Sequence, residues 1–152
     1  MSLETVKAFF AENAPDLQVI ELETSTATVP LAAEAHDVEP GQIAKTLSFK
    51  VKDDAVLIVT RGDARIDNRK FKDQFATKPR MLDAESVLEL TGHPVGGVCP
   101  FGLASNMAIY CDISLKAYEE VVPAAGSINS AVRVNTERLA ALTNAQWIDV
   151  CQ

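Results

Sequence analysis

Leu3, Val6, Phe9 and Phe10 recur at helical spacing, with Ser2 placed to cap them and Pro15 to stop them, which predicts a first helix. The stretch from Leu17 to Thr24 reads as a strand, because Val19, Ile20 and Leu22 are strand formers set among acidic neighbours. Thr28 followed by Pro30 predicts a short helix to about Ala35, and a second is predicted from Pro40 to about Thr46. Leu47, Phe49 and Val51 then alternate with Ser48, Lys50 and Lys52, the pattern of a half-buried strand. Asp53 and Asp54 turn the chain into residues 55–60, whose Val56-Leu57-Ile58-Val59 run predicts a strand covered on both faces. Together these two strands predict a hairpin.

Further along, Asp67 is placed to cap a basic helix to about Phe75, and Asp83 another from Ala84 to Leu90, stopped by Gly92. Residues 93–102 cannot form a regular helix, since Pro94, Gly96, Gly97, Pro100 and Gly102 interrupt them, yet apolar side chains lie between the glycines. Such a segment is a buried turn or a backbone-lined pocket wall. A strand is predicted from Met107 to Ile113, a short helix from Ser114 or Leu115 to Glu120, and a strand from Ala131 to Val134. A helix opening at Thr136 and a strand from Trp147 to Val150 complete the pattern. No linker, repeat or low-complexity tract divides it. The order predicts one α+β domain over residues 1–152, built on a largely antiparallel or barrel-like sheet.

Composition agrees with a folded chain: of 152 residues, 47% are hydrophobic and 23% charged, which argues against disorder. Three cysteines at irregular spacing do not form a disulfide framework, and two histidines cannot build a His-rich metal centre. No metal and no cofactor are therefore expected. Met1-Ser2-Leu3-Glu4 lacks a basic flank before an apolar run, and the apolar stretches are too short for a membrane span, so a cytoplasmic protein without a membrane partner is expected.

The net charge of −7 at first opposes binding to nucleic acid. Its distribution changes that picture. Between Lys45 and Arg80 ten basic residues face five aspartates, leaving +5, whereas four basic and sixteen acidic residues elsewhere leave −12. A local basic patch is what phosphate recognition needs, although a solvated charged face has the same composition.

Catalytic signatures such as a nucleophile elbow, a phosphate-binding loop or paired cysteines are absent. Cys99 sits in the glycine-rich segment near His93 and invites a nucleophile reading, but a small apolar filler accounts for it better. Cys111 reads as core and Cys151 as a terminal residue. Lys45, at the predicted helix–strand junction, can direct an ammonium into a cleft and neutralise an oxyanion or a phosphate, or simply end a helix in solvent. Asp112 stands at a strand end, where it can equally cap the following helix.

Four segments of the chain carry a family pattern. They are Glu39-Pro40-Gly41-Gln42-Ile43-Ala44-Lys45-Thr46-Leu47-Ser48-Phe49-Lys50, Thr60-Arg61-Gly62-Asp63 with Asp67-Asn68-Arg69-Lys70, residues 91–102, and Tyr110-Cys111-Asp112-Ile113-Ser114-Leu115. In this order they resemble the YbaK/EbsC family of aminoacyl-tRNA deacylases and of editing domains inserted in bacterial prolyl-tRNA synthetases. The resemblance runs from about Val29 to Leu139. It implies a single α+β domain with a curved, barrel-like mixed β-sheet flanked by short helices. It also implies hydrolysis of the ester joining a wrong, small amino acid (Ala, Cys, Ser or Thr) to tRNA(Pro) or a related tRNA. By position Lys45, Gly96 and Asp112 match the family's catalytic positions, and Thr46, His93, Gly97, Cys99, Pro100 and Phe101 fall around the substrate pocket. Arg61, Asp63, Arg69 and Lys70 fall where the tRNA acceptor end is met. The acidic balance leaves room for a synthetase or an elongation factor as a helper in tRNA binding.

An aminoacyl ester is already activated, so a backbone-lined pocket with one lysine can hydrolyse it without a protein nucleophile. Two other classes compete: a non-catalytic tRNA- or synthetase-binding module of the same fold, and a small-molecule esterase or thiol-dependent enzyme using Cys99.

Overall fold

Residues 54–61 carry the longest run of side chains hidden on both faces, with Val56, Leu57, Ile58 and Val59 at most 5% exposed. In the computed structural model, which describes residues 2–152, this run is strand β3 (Asp54–Arg61), paired antiparallel along its full length with β2 (Ile43–Val51). The predicted hairpin is thus present, but β2 starts four residues before Leu47. Only a 3-10 turn, Pro40–Gln42, replaces the predicted helix up to Thr46. Sheet pairing decides this: Ile43 and Ala44 are already bonded to a neighbouring strand, β5 (Glu120–Pro123). Lys45 consequently lies inside a strand.

The remaining elements are α1 (Ser2–Asn13), β1 (Ile20–Glu21), α2 (Val29–His36), α3 (Asn68–Phe75), α4 (Ala84–Thr91), β4 (Ala108–Asp112), β6 (Ser130–Ala131), β7 (Val134–Asn135), α5 (Thr136–Thr143) and β8 (Gln146–Ile148). Six strands form one sheet in the order β7-β5-β2-β3-β4-β8, and β1 pairs with β6 apart from it. The β2–β5, β3–β4 and β4–β8 pairs are parallel, while β2–β3 and β5–β7 are antiparallel. The sheet is therefore curved and mixed, not largely antiparallel, because α3 and α4 return the chain from β3 to a parallel neighbour.

Local expectations held where capping chemistry was strong. Asp67 accepts from the Arg69 and Lys70 amides at 3.0 Å, Asp83 from Ser86 at 2.7 Å, and Gly92 ends α4 at φ 79°. Ser2 does not cap: it lies within α1, and its hydroxyl is spent on the Gly126 carbonyl at 2.5 Å and on His93 Nδ1. The strand predicted from Leu17 to Thr24 shrinks to two residues, that from Ala131 to Val134 divides into β6 and β7, and the one predicted from Trp147 to Val150 is β8, ending at Ile148. The short helix beginning near Ser114 is a 3-10 turn, Ile113–Ala117, and Glu120 opens β5 instead of ending a helix. Each of these segments is too short for its own periodicity to outweigh tertiary pairing.

The sheet carries a core on each face. On one side Val59, Cys111 and Val121 pack with Val6 and Phe10 of α1, with Leu139 of α5, and with Phe101 of the glycine-rich segment. On the other, Phe49, Val56 and Ile58 meet Phe71 and Phe75 of α3, with the Phe49–Phe71 ring centroids 5.0 Å apart. Burying each such aromatic stabilises the fold by about 1.5–3 kcal/mol. A third, smaller cluster joins Ala32 and Ala33 of α2 to Ile43, Val122 and Ala131, fixing α2 beside the start of β2.

Candidate active site

Along β2 the neighbouring chain changes. β5 reaches only Ala44, and the segment around Met81 bonds to the strand again only at Ser48 and Lys50. Between them a cavity of about 310 Å³ opens over residues 44–48, walled by Val29 and Ala32 of α2 and by Val95, Gly96 and Val98 of the glycine-rich segment. Met81 and Val95, both more than half exposed, stand at its rim. The lining is chiefly apolar, and Lys45 is the only charged residue in it among the described residues.

Lys45 is half-buried, and its Nζ donates to the backbone carbonyl of Ala64 at 2.6 Å. Burial pushes its ammonium below the ordinary lysine value; nearby Cys151 and Asp63 oppose that shift and Arg65 adds to it. One bond to a carbonyl leaves two of its three donors for other partners.

Gly96 lines the cavity at φ 94°, and a Cβ added there would stand 2.9 Å from the Ala27 Cβ. The glycine therefore meets two needs, a left-handed backbone and close approach to the chain leading into α2. Gly97 turns away, and a Cβ there would meet the Ser127 backbone at 2.7 Å. The rest of the segment runs into the core. His93, Cys99 and Phe101 have no exposed surface and do not line the cavity, and Pro100 lines a separate groove with Phe9 and Leu142.

The structure does bring Cys99 and His93 together, with Sγ 3.5 Å from Nε2. However, the same ring nitrogen faces the Phe101 carbonyl at 2.8 Å, and burial pushes the thiol up to about 12. A thiol that weakly acidic holds almost no thiolate near neutrality, and the pair lies out of reach of the cavity. Cys151 is also buried rather than a loose end: its carbonyl accepts from Lys70 Nζ at 2.9 Å, and it bridges to Ile66.

Asp112 lies outside the cavity lining and is 1% exposed. Its carboxylate accepts from the Ser114 amide at 2.9 Å and the Val150 amide at 2.8 Å, capping the 3-10 turn and fastening the chain end. Arg61 and Asp63 form an ion pair at 2.6 Å, which holds the Asp63 carboxyl below its usual range and raises Arg61. Arg61 also lies over the Tyr118 ring, 5.4 Å from its centroid. Lys70 is held by Asp149 at 3.1 Å, whereas Arg69 enters no ion pair among the described residues.

Of the residues expected around the pocket, Lys45, Thr46 and Gly96 line one cavity, while His93, Gly97, Cys99, Pro100 and Phe101 are not among its lining residues. Sequence reasoning missed Val29 and Ala32 as walls. The Thr28 cap located their helix but carried no signal of what its apolar side faces.

Residues 23–142 match the family model described as an aminoacyl-tRNA editing domain. The chain belongs to that family. YwhH of Bacillus subtilis, an uncharacterised protein, is 47% identical over all of this chain and 98% of its own length. A proline–tRNA ligase of Bacillus pumilus is 34% identical over 67% of this chain, which spans only 18% of that enzyme. A crystal structure described provisionally as a trans-editing enzyme for prolyl-tRNA synthetase superposes with a TM-score of 0.92 at 35% identity, covering 99% of this chain and 97% of that one. The YbaK/EbsC resemblance and the curved mixed sheet with flanking short helices both stand, and with them a hydrolase-type role in aminoacyl-tRNA editing. No helix among the described residues is long and apolar enough to cross a membrane.

Proposed function

We propose that residues 1–152 act as one trans-editing aminoacyl-tRNA deacylase domain in the cytoplasm. Its substrate is a small amino acid (Ala, Cys, Ser or Thr) wrongly esterified to tRNA(Pro) or a related tRNA. The observation that supports this reading is a small apolar cavity whose lining includes both the half-buried Lys45 and the glycine turn at Gly96. Its volume suits an amino-acid side chain with the adjoining ester, and falls at the small end for ligand sites.

In this reading water adds to the ester carbonyl, and the tetrahedral intermediate then releases the amino acid and the ribose hydroxyl of the terminal nucleotide. Lys45 supplies positive charge where negative charge develops, and the backbone at Gly96 positions the aminoacyl group. Asp112 acts at a distance, holding the end of β4 and the chain terminus in place. The acceptor end approaches past Arg61, Asp63, Arg69 and Lys70, and a synthetase or an elongation factor presents the tRNA.

Incubation with alanyl-, cysteinyl-, seryl- and threonyl-tRNA(Pro), each measured against its uncatalysed deacylation, tests the reading. Accelerated loss of at least one small aminoacyl group is expected. Binding of tRNA without acceleration of any of them would favour the non-catalytic module.

A further inference from the structure

β2 is paired on its outer side at both ends, and among the described residues no strand pairs with its middle. Ser48 C=O accepts from the Leu82 amide at 3.0 Å, and the Lys50 amide donates to the Arg80 carbonyl at 2.8 Å, both away from β3. Strand alternation points the backbone of Thr46 the same way. There β5 has already ended at Ala44, and the Met81 segment has not yet begun. The N–H and C=O of Thr46 thus form a one-residue stretch of open sheet edge inside the cavity. Its side chain adds a second deficit, since Thr46 Oγ1 is buried and has no hydrogen-bond partner among the described residues. Buried polar groups left unpaired are costly and uncommon, and Thr46 Oγ1 is one of them, beside an open stretch of its own backbone.

We infer that Thr46 is the anchor for the α-amino group of the substrate, and that the aminoacyl moiety docks on β2 as a single added strand residue. The inference rests on the deacylase reading. The α-ammonium donates to the Thr46 carbonyl, and the ester carbonyl oxygen accepts from the Thr46 amide. A free α-amine and an adjacent carbonyl are the donor–acceptor pair that a sheet edge recognises in a strand residue. After rotation about χ1, Thr46 Oγ1 accepts a second ammonium hydrogen, so substrate entry satisfies the orphaned oxygen. The substrate class is therefore an α-amino acyl ester with its amine free. Esters whose amine is acylated or replaced by a hydroxyl are disfavoured, however small their side chains.

The test compares the best aminoacyl-tRNA with the same tRNA after N-acetylation and after conversion of the amine to a hydroxyl. Both changes are expected to lower kcat/KM at least about tenfold, the scale of a lost hydrogen bond to a charged group. Equal hydrolysis of all three overturns the inference and leaves the deacylase reading standing; hydrolysis of none sets the deacylase reading aside. A binding measurement separates the two further, using the stable amide of alanine on 3′-amino-3′-deoxyadenosine. The backbone amide resonance of Thr46 is expected to shift with this compound and not with its N-acetyl form, and identical responses overturn the inference. Thr46→Val, which removes only the unpartnered oxygen, is expected to raise KM several-fold with an unchanged or higher Tm. An unchanged KM would remove the side chain from the anchor.

Discussion

Lys45 Nζ and the carbonyl of Ala64 are 2.6 Å apart, so the ammonium of the only charged residue lining the cavity, among the described residues, is held by the turn that follows β3. That turn is fixed in its own right: the Ala64 amide bonds to the Arg61 carbonyl, and the Gln152 amide to the Arg65 carbonyl. The backbone at Gln152 therefore helps to set where the ammonium points.

Lys45→Met keeps the aliphatic stem and removes the charge. Deacylation is expected to fall by about 10²–10³, the scale of losing one transition-state donor. Tm should change little, because the variant also removes the cost of burying an ammonium. Turnover close to that of the unmodified protein on the preferred mischarged tRNA would displace Lys45 from the chemistry.

The pH dependence follows from the same burial. The folded-state pKa of Lys45 lies below the ordinary lysine value, so activity that needs the ammonium is lost as pH rises through that lowered pKa. Stability runs the opposite way. Between the folded and unfolded pKa values the unfolded chain binds more protons, so the contribution of this group to stability rises with pH. Rates corrected for uncatalysed ester hydrolysis should show the alkaline limb, and Lys45→Met should lack it.

Cys99→Ala is expected to keep measurable hydrolysis, and no aminoacyl thioester should form on Cys99. With its thiol pushed up to about 12 and wholly buried, Cys99 should also resist alkylation at neutral pH until the protein unfolds. Mass spectrometry of the intact protein during turnover checks both, and a trapped thioester would restore the covalent mechanism.

For Gly96→Ala the positive φ and the 2.9 Å approach to Ala27 predict a lower Tm together with lost deacylation. Adding Ala27→Gly should recover part of the Tm by relieving the contact, though not the backbone strain. Gly97→Ala should destabilise through the Ser127 backbone instead. Thermal melts beside the four-substrate panel separate these cases. Full activity in a stably folded Gly96→Ala variant would take Gly96 out of the pocket.

Salt dependence should single out Arg69. Arg69→Ala is expected to weaken tRNA binding and reduce the slope of log affinity against log salt by about one. Lys70→Ala should do less, because Asp149 and the Cys151 carbonyl already engage that ammonium. Equal effects of the two variants would place the phosphate contact elsewhere.

By itself the sequence determined what short-range chemistry controls. The β2–β3 hairpin, the doubly buried run from Val56 to Val59, the Asp67 and Asp83 caps and the stop at Gly92 all follow from periodicity and capping within a few residues. The order of its motifs also carried the family resemblance, and with it Lys45 and Gly96, which now line one cavity. Only the tertiary structure decided that Lys45 belongs to a strand, because pairing of Ile43 and Ala44 with β5 overrode the helical start at Pro40. It also separated Gly96, in the cavity, from Cys99 and His93, in the core. Neighbours in a loop share a sequence signal, but which side each presents depends on Ala27, Ser127 and Phe101, which lie far away in the chain or across the turn. The open edge at Thr46 was decided there as well. A missing hydrogen-bond partner is a property of where β5 ends and the Met81 segment begins, and no residue of β2 encodes either.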